Sequence, residues 1–76
     1  MTGLEIENQK AKALLLYKKF YRFFTQDFKV TFFSDSIHVK NKEFSNEIEL
    51  SHSNALEEFE ELLTKQKQVF DEILKV

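Results

Sequence analysis

The sequence predicts an α+β fold with the element order α-β-β-β-α, in which two long helices flank three strands. Apolar residues recur at helical spacing toward both ends of the chain and alternate with polar residues in the middle. Short segments of turn-forming residues separate the alternating stretches, and such short connections join antiparallel neighbours. We therefore expect a three-stranded antiparallel meander with two long helices packed on one face.

The first helix is predicted from Glu5 to about Gln26. Its apolar residues fill one half of the helical wheel, which is wider than the stripe that a helix needs to cover a sheet. We therefore expect this helix to contact its own sheet and also a second helix or a second chain. The apolar half consists of Ala13, Leu14, Leu16, Tyr17, Phe20, Tyr21, Phe23 and Phe24.

The middle of the chain has the period of β-strands, beginning around Asp27. Turn formers at 34–36 and 41–42 divide it into three strands. Asn46 interrupts the apolar side of the third strand, so we expect a bulge near Ser45 or Asn46, or a strand that begins only at Asn46. The predicted inner faces are Phe28, Val30 and Phe32, then Ile37 and Val39, then Phe44, Ile48 and Leu50. The predicted outer face carries Lys29, Thr31, Phe33, His38, Lys40, Glu47 and Glu49.

The last helix is predicted to begin after a cluster of capping residues. With Asn54 at the N-cap, Glu57 occupies the third helical position and can complete a capping-box-like exchange, and Ser53 is the competing cap. The predicted buried stripe is Leu56, Phe59, Leu62, Leu63, Val69, Phe70, Ile73 and Leu74.

Gln66 lies in the middle of this apolar stripe. A buried glutamine amide must be hydrogen-bonded, because leaving it unpaired costs about 1–3 kcal/mol. In one interpretation the amide bonds to a strand or loop carbonyl at the edge of the core. In the other it fixes the register of an oligomer interface.

Length and composition predict one small domain, residues 1–76. The chain has no cysteine and only two histidines, so we expect neither a disulfide nor a structural zinc site. Gly3 is the only glycine, which argues against a glycine-rich loop for nucleotide phosphates, and we expect no cofactor. Because a core of this size leaves about 3–5 kcal/mol of net stability, we predict a homodimer.

The sequence shows no targeting or membrane segment. The first residues contain no basic segment followed by an apolar run, and no stretch approaches the roughly 18 apolar residues of a membrane span. We therefore expect a cytoplasmic protein that does not enter a membrane.

No arrangement of residues indicates catalysis. His38 falls on the polar side of a strand and His52 among capping residues, and neither belongs to a nucleophile–base signature. Glu57 and Glu61 share a helical face, as chelating or catalytic carboxylates do, but a solvated helix start explains them more simply. We therefore predict that the protein is not an enzyme and binds no metal.

Charge is unevenly distributed, although the formal net charge is only −2. Residues 1–30 contain six Lys and Arg against three Asp and Glu, whereas residues 51–76 contain three Lys against six Asp and Glu. The acidic face predicted to bind another protein consists of Glu57, Glu58, Glu60 and Glu61. The alternative nucleic-acid face consists of Lys12, Lys18, Lys19 and Arg22. A further possible interface combines Leu15, Tyr17, Phe33 and Gln66.

The order of elements resembles that of the double-stranded-RNA-binding domain over nearly the whole chain. That family grips phosphates with lysines at the start of its last helix, where this chain has Asn54-Ala55-Leu56-Glu57-Glu58. These glutamates would repel phosphates. The resemblance therefore implies a similar fold without RNA binding by that mode.

In size, element pattern and lack of a catalytic site the chain is similar to small acidic phage inhibitors of host defence nucleases, including some anti-CRISPR proteins. The predicted function is a non-enzymatic protein-binding or regulatory module. Its most specific form is a phage or mobile-element inhibitor of a host nuclease or defence protein that acts by surface occlusion. The alternative is a small nucleic-acid-binding protein that uses the basic face of the first helix.

Overall fold

The computed structural model describes residues 3–74 and has the predicted α-β-β-β-α order. The first helix continues directly into a single 3₁₀ turn. The elements are α1 (Gly3–Phe20), the 3₁₀ turn (Tyr21–Phe23), β1 (Lys29–Phe32), β2 (Ser36–Lys40), β3 (Ser45–Glu49) and α2 (Ala55–Leu74).

The three strands form an antiparallel meander in the order β1-β2-β3, as predicted. In the register, Ile37 at the centre faces Phe32 of β1 and Ile48 of β3, which places these apolar side chains on one face. The other face carries the seven predicted outer residues, of which His38 is half-buried and the other six are exposed. Antiparallel sheets tolerate one solvated face in this way.

Both helices pack on the apolar inner face of the sheet. Phe32 of β1 contacts both, because its ring centroid lies 5.7 Å from that of Tyr17 on α1 and 6.2 Å from that of Phe59 on α2. The predicted two-layer architecture is therefore confirmed. The buried apolar core between the layers consists of Ala13, Phe28, Ile37, Val39, Ile48, Leu50, Ala55, Phe59, Leu62 and Leu63.

The two helices run in the same direction and are staggered. Gln9, in the first half of α1, reaches the loop before α2, whereas Phe23 after α1 contacts Phe70 near the end of α2. The beginning of α1 therefore extends past the start of α2, and α2 extends past the end of α1. This stagger agrees with an elongated molecule of 46 × 20 × 18 Å. It also exposes Ile73 and Leu74, which the sequence pattern predicts to be buried.

Helix α1 ends at Phe20, six residues before the predicted end at about Gln26. Phe24 has an extended backbone (φ −79°, ψ 137°), and its ring centroid lies 4.4 Å from that of Phe28. The carbonyl of Phe23 accepts a hydrogen bond from the Gln66 side chain at 3.1 Å. Aromatic packing and this bond therefore stabilise a non-helical path that local periodicity does not indicate.

Strand β3 has no bulge in its paired residues, so the predicted bulge near Ser45 or Asn46 is wrong. Its pairing with β2 is continuous from Ser45 to Glu49. Asn46 lies on the inner face opposite Val39 but remains exposed, because β3 is an edge strand. A polar residue at this position therefore needs no local distortion.

Helix α2 begins at Ala55, so Asn54 occupies the predicted N-cap position. Its backbone carbonyl accepts a hydrogen bond from the Glu58 N–H at 3.0 Å. Its side-chain Nδ2 also donates to Glu58 Oε1, at 3.3 Å. The side-chain partner of the cap is thus Glu58, one residue beyond the predicted Glu57.

Candidate functional site

The four glutamates of the predicted acidic face lie on the solvent side of α2. Phe59 and Leu63 are fully buried and fix the inward face of the helix. At about 100° per residue the four glutamates lie outside this inward face. Glu57, Glu60 and Glu61 are exposed and Glu58 is half-buried. We call these four residues the acidic ridge.

A groove of about 380 Å³ runs between α1 and α2 beside the ridge. We call it the α1–α2 groove. Its apolar lining comes from Leu15, Leu16 and Leu56, and its charged lining differs in sign between the two helices. The charged residues are Lys12 and Lys19 on α1, and Glu57 and Glu60 on α2.

The other two ridge residues, Glu58 and Glu61, line a depression between α2 and strand β3. Asn46, Glu47 and Lys65 also line it. The ridge therefore has one pair of carboxylates toward α1 and another toward the sheet edge. Substitutions in each pair can be made separately.

The ridge carboxylates take part in no salt bridge within residues 3–74. The close charged pairs there are Lys42 with Asp27, at 3.3 Å, and His52 with Glu49, at 3.4 Å. Both pairs are exposed, and such surface pairs contribute little to stability. The negative charge of the ridge is thus available to a partner.

The four predicted basic residues are all exposed. Lys12 and Lys19 line the α1–α2 groove, whereas Lys18 is exposed outside it. The guanidinium of Arg22 lies over the Phe23 ring, 5.3 Å from its centroid, in the 3₁₀ turn. Two of the four predicted basic residues therefore line the groove.

The predicted combined interface is not assembled in the structure. Leu15 is 67% exposed and lines the groove, while Phe33 lines a separate depression near the β1–β2 turn. Tyr17 is half-buried and packs against Phe24 and Phe32, with centroid distances of 5.2 and 5.7 Å. Residues two apart on a helix differ by about 200° around its axis, so Leu15 and Tyr17 point to opposite sides of α1.

Gln66 is fully buried within the protein, which agrees with the first of its two interpretations and not with an oligomer interface. Its Nε2 donates to the Phe23 carbonyl at 3.1 Å and to Thr25 Oγ1 at 3.3 Å. Its Oε1 accepts a hydrogen bond from Asn41 Nδ2 at 3.3 Å. The amide is satisfied by three different residues and is not accessible to a partner.

Comparisons of the chain with protein-family models, with curated proteins and with solved structures find no match.

Neither helix combines the length and apolar character that a bilayer span requires, in the part of the chain that the structure describes. Within residues 3–74 no three His, Asp or Glu side chains are grouped so that they could hold a metal ion. His38 Nε2 lies 3.0 Å from Ser45 Oγ on the outer face of the sheet, and His52 lies beside Glu49. Both histidines thus have local surface contacts.

Sequence reasoning missed the role of Gln9. Its Nε2 donates to the carbonyls of Leu50 and His52, both at 2.9 Å, and so connects α1 to the loop before α2. The available signal was its position one helical turn before Ala13, on the border of the apolar half of α1. If Gln9 had been interpreted in the same way as Gln66, a hydrogen bond from its side-chain amide to a loop carbonyl would have been predicted.

Proposed function

We propose that this chain is a non-enzymatic protein-binding module whose acidic ridge docks on a basic surface of a target protein. The observation that carries the proposal is the set of four carboxylates on one helix, free of salt bridges within residues 3–74. Carboxylates concentrated on a rigid helix attract a cationic site and accelerate association with it.

Surface occlusion is the proposed mechanism. Residues one turn apart on a helix are about 5–6 Å apart, so the ridge presents a row of anions. A cationic site that normally holds phosphates would accept such a row. The specific form of the proposal is a phage or mobile-element inhibitor that covers a nucleic-acid site on a host nuclease or defence protein.

The combined variant Glu58→Lys/Glu61→Lys tests this role without changing the α1–α2 groove. We expect it to keep its fold, which circular dichroism checks because the variant removes the exposed Asn54–Glu58 hydrogen bond. It should lose the target in affinity capture from the native host, because the reversed charges repel a basic surface. The matched control, Asp35→Lys/Glu49→Lys, reverses two exposed carboxylates, one beside the β1–β2 turn and one on the outer face of the sheet, and should retain the target because neither lines a depression with the ridge. Mass spectrometry of the captured material provides the readout.

The opposite pattern would contradict the proposal. If the ridge variant captures the same proteins as the wild type while the sheet variant loses them, the binding surface is the outer face of the sheet. With a purified target, reversal of the ridge should slow association several-fold at low salt, and added salt should reduce the difference.

Nucleic-acid binding is the alternative function, supported by Lys12 and Lys19 on one wall of the groove. Titration with short duplex and single-stranded DNA and RNA at about 50 mM salt tests it, since phosphate-driven binding is strongest at low ionic strength. Under this alternative, Lys12→Glu/Lys19→Glu abolishes binding. Micromolar binding lost in that variant would replace the protein-partner proposal.

The homodimer and the cytoplasmic location remain predictions. Three large apolar side chains of α1 and the following turn favour a protein partner of some kind: Leu14, Leu15 and Tyr21 are 41%, 67% and 61% exposed.

A further inference from the structure

We propose that a second copy of this chain docks in the α1–α2 groove, with α1 of each copy against α2 of the other. The groove offers both an apolar surface and charges of both signs for such a contact. Leu15 is 67% exposed beside the half-buried Leu16 and Leu56, so apolar surface is available. The α1 wall carries lysines and the α2 wall carries glutamates, so the groove is electrostatically complementary to itself.

The charges select one of two symmetric arrangements. A twofold axis across the groove would place α1 against α1 and α2 against α2, which brings lysines to lysines and glutamates to glutamates. A twofold axis along the groove places α1 against α2 of the other copy. Because the two helices of one copy run in the same direction, Lys12 and Lys19 then meet Glu57 and Glu60 at similar heights.

A second copy fits this groove better than an unrelated acidic or basic partner. A uniformly charged partner would be attracted to one wall and repelled by the other, whereas this chain presents both signs in the required positions. The apolar contact is small, so we expect a weak, reversible dimer of the kind formed by interfaces below about 1,200 Å².

Sedimentation equilibrium between about 10 μM and about 1 mM chain tests the dimer. The wild type should approach twice the monomer mass of 9.1 kDa at the upper end, and added salt should weaken the association. Leu15→Glu should abolish it by introducing charge into the apolar contact. Leu14→Glu is the matched control, because Leu14 is also exposed but does not line the groove, and it should leave the dimer intact.

Charge exchange tests the arrangement. Lys12→Glu/Lys19→Glu and Glu57→Lys/Glu60→Lys should each be monomeric, and an equimolar mixture of the two should form a heterodimer. The variant with all four reversals should again form a homodimer, since each α1 is now acidic and each opposing α2 basic. Circular dichroism of each variant separates lost association from lost folding.

A wild type that stays monomeric throughout this range would overturn the proposal. So would a dimer that survives Leu15→Glu, or one that the fourfold reversal destroys. These outcomes leave the proposed function untouched, because the ridge pair Glu58 and Glu61 lies outside the groove.

One consequence rests on the proposed function. The dimer covers Glu57 and Glu60, so target binding and self-association compete for the ridge. The monomeric Lys12→Glu/Lys19→Glu variant should therefore capture the target at least as well as the wild type. A weaker capture would contradict this competition, whatever the outcome of the sedimentation measurements.

Discussion

At the scale of single residues, Gln66 determines how three separate segments meet. It contacts the carbonyl that ends the 3₁₀ turn, the hydroxyl of Thr25 and the amide of Asn41. Asn41 in turn accepts hydrogen bonds from the N–H groups of Glu43 and Phe44, at 2.7 and 2.9 Å. One buried amide thus links α2 to the connection after α1 and to the β2–β3 turn.

Replacement of Gln66 by leucine should lower the free energy of unfolding by about 1–3 kcal/mol, because it leaves the Phe23 carbonyl and the Asn41 amide without their partner. Urea denaturation provides the measurement. Gln68→Leu is the matched control, since Gln68 is exposed two residues further along the same helix, and we expect little change. If both variants were equally stable, the hydrogen bonds of Gln66 would make no net contribution to the free energy of unfolding.

At the scale of elements, α1 is fastened to the rest of the molecule by a few contacts. Gln9 binds the loop before α2, Ala13 is fully buried, and Tyr17 contacts Phe24 and Phe32. Much of the remaining surface of α1 is exposed. The docking of α1 on the sheet should therefore be sensitive to single substitutions on its inner face.

Tyr17→Ala tests this dependence. We expect a loss of about 2 kcal/mol, less than the roughly 3–5 kcal/mol of a fully buried aromatic ring, because Tyr17 is half-buried. Amide hydrogen exchange in α1 should accelerate more than in the strands. Tyr21→Ala is the control, since Tyr21 is 61% exposed. If the amides of α1 were equally protected from hydrogen exchange in both variants, the role of Tyr17 would be contradicted.

Elements were predictable from the sequence to different degrees. The strands were predictable because apolar and polar residues alternate along them, as Ile37 and His38 do. A shift of one residue would exchange the inner and outer faces of the sheet. The end of α1 was not predictable, since Tyr21, Phe23 and Phe24 continue the helical pattern. The packing of Phe24 on Phe28 and the hydrogen bond from Gln66 to the Phe23 carbonyl stabilise the non-helical path, and the second of these joins residues 43 positions apart in the sequence.

The residues of the candidate site were predictable from the sequence, but their arrangement in space was not. Periodicity identifies which side of α2 faces solvent, and so it predicted Glu57 and Glu61 correctly as surface residues. It does not specify the direction or stagger of a neighbouring helix. The α1–α2 groove, where Lys12 approaches Glu57, depends on that relation between helices and appears only in three dimensions.

At the scale of the whole molecule, charge is segregated although the net charge is only −2. The acidic ridge lies on the helical layer, and the outer face of the sheet carries both lysines and glutamates, with Lys29 opposite Lys40. Within the helical layer α1 carries the lysines and α2 carries the ridge, so a target with a basic site is directed to the α2 side of this layer. The central claim is that this layer, through the ridge, is where a protein partner binds.

Site-specific photo-crosslinking in the native host tests this claim most directly. A benzophenone amino acid replaces Glu61 on the ridge in one variant and Thr31 on the outer face of the sheet in another. We predict a covalent adduct with a protein larger than a second copy of the chain from position 61, and none from position 31. Adducts only with nucleic acid, or equal adducts from both positions, would contradict the claim.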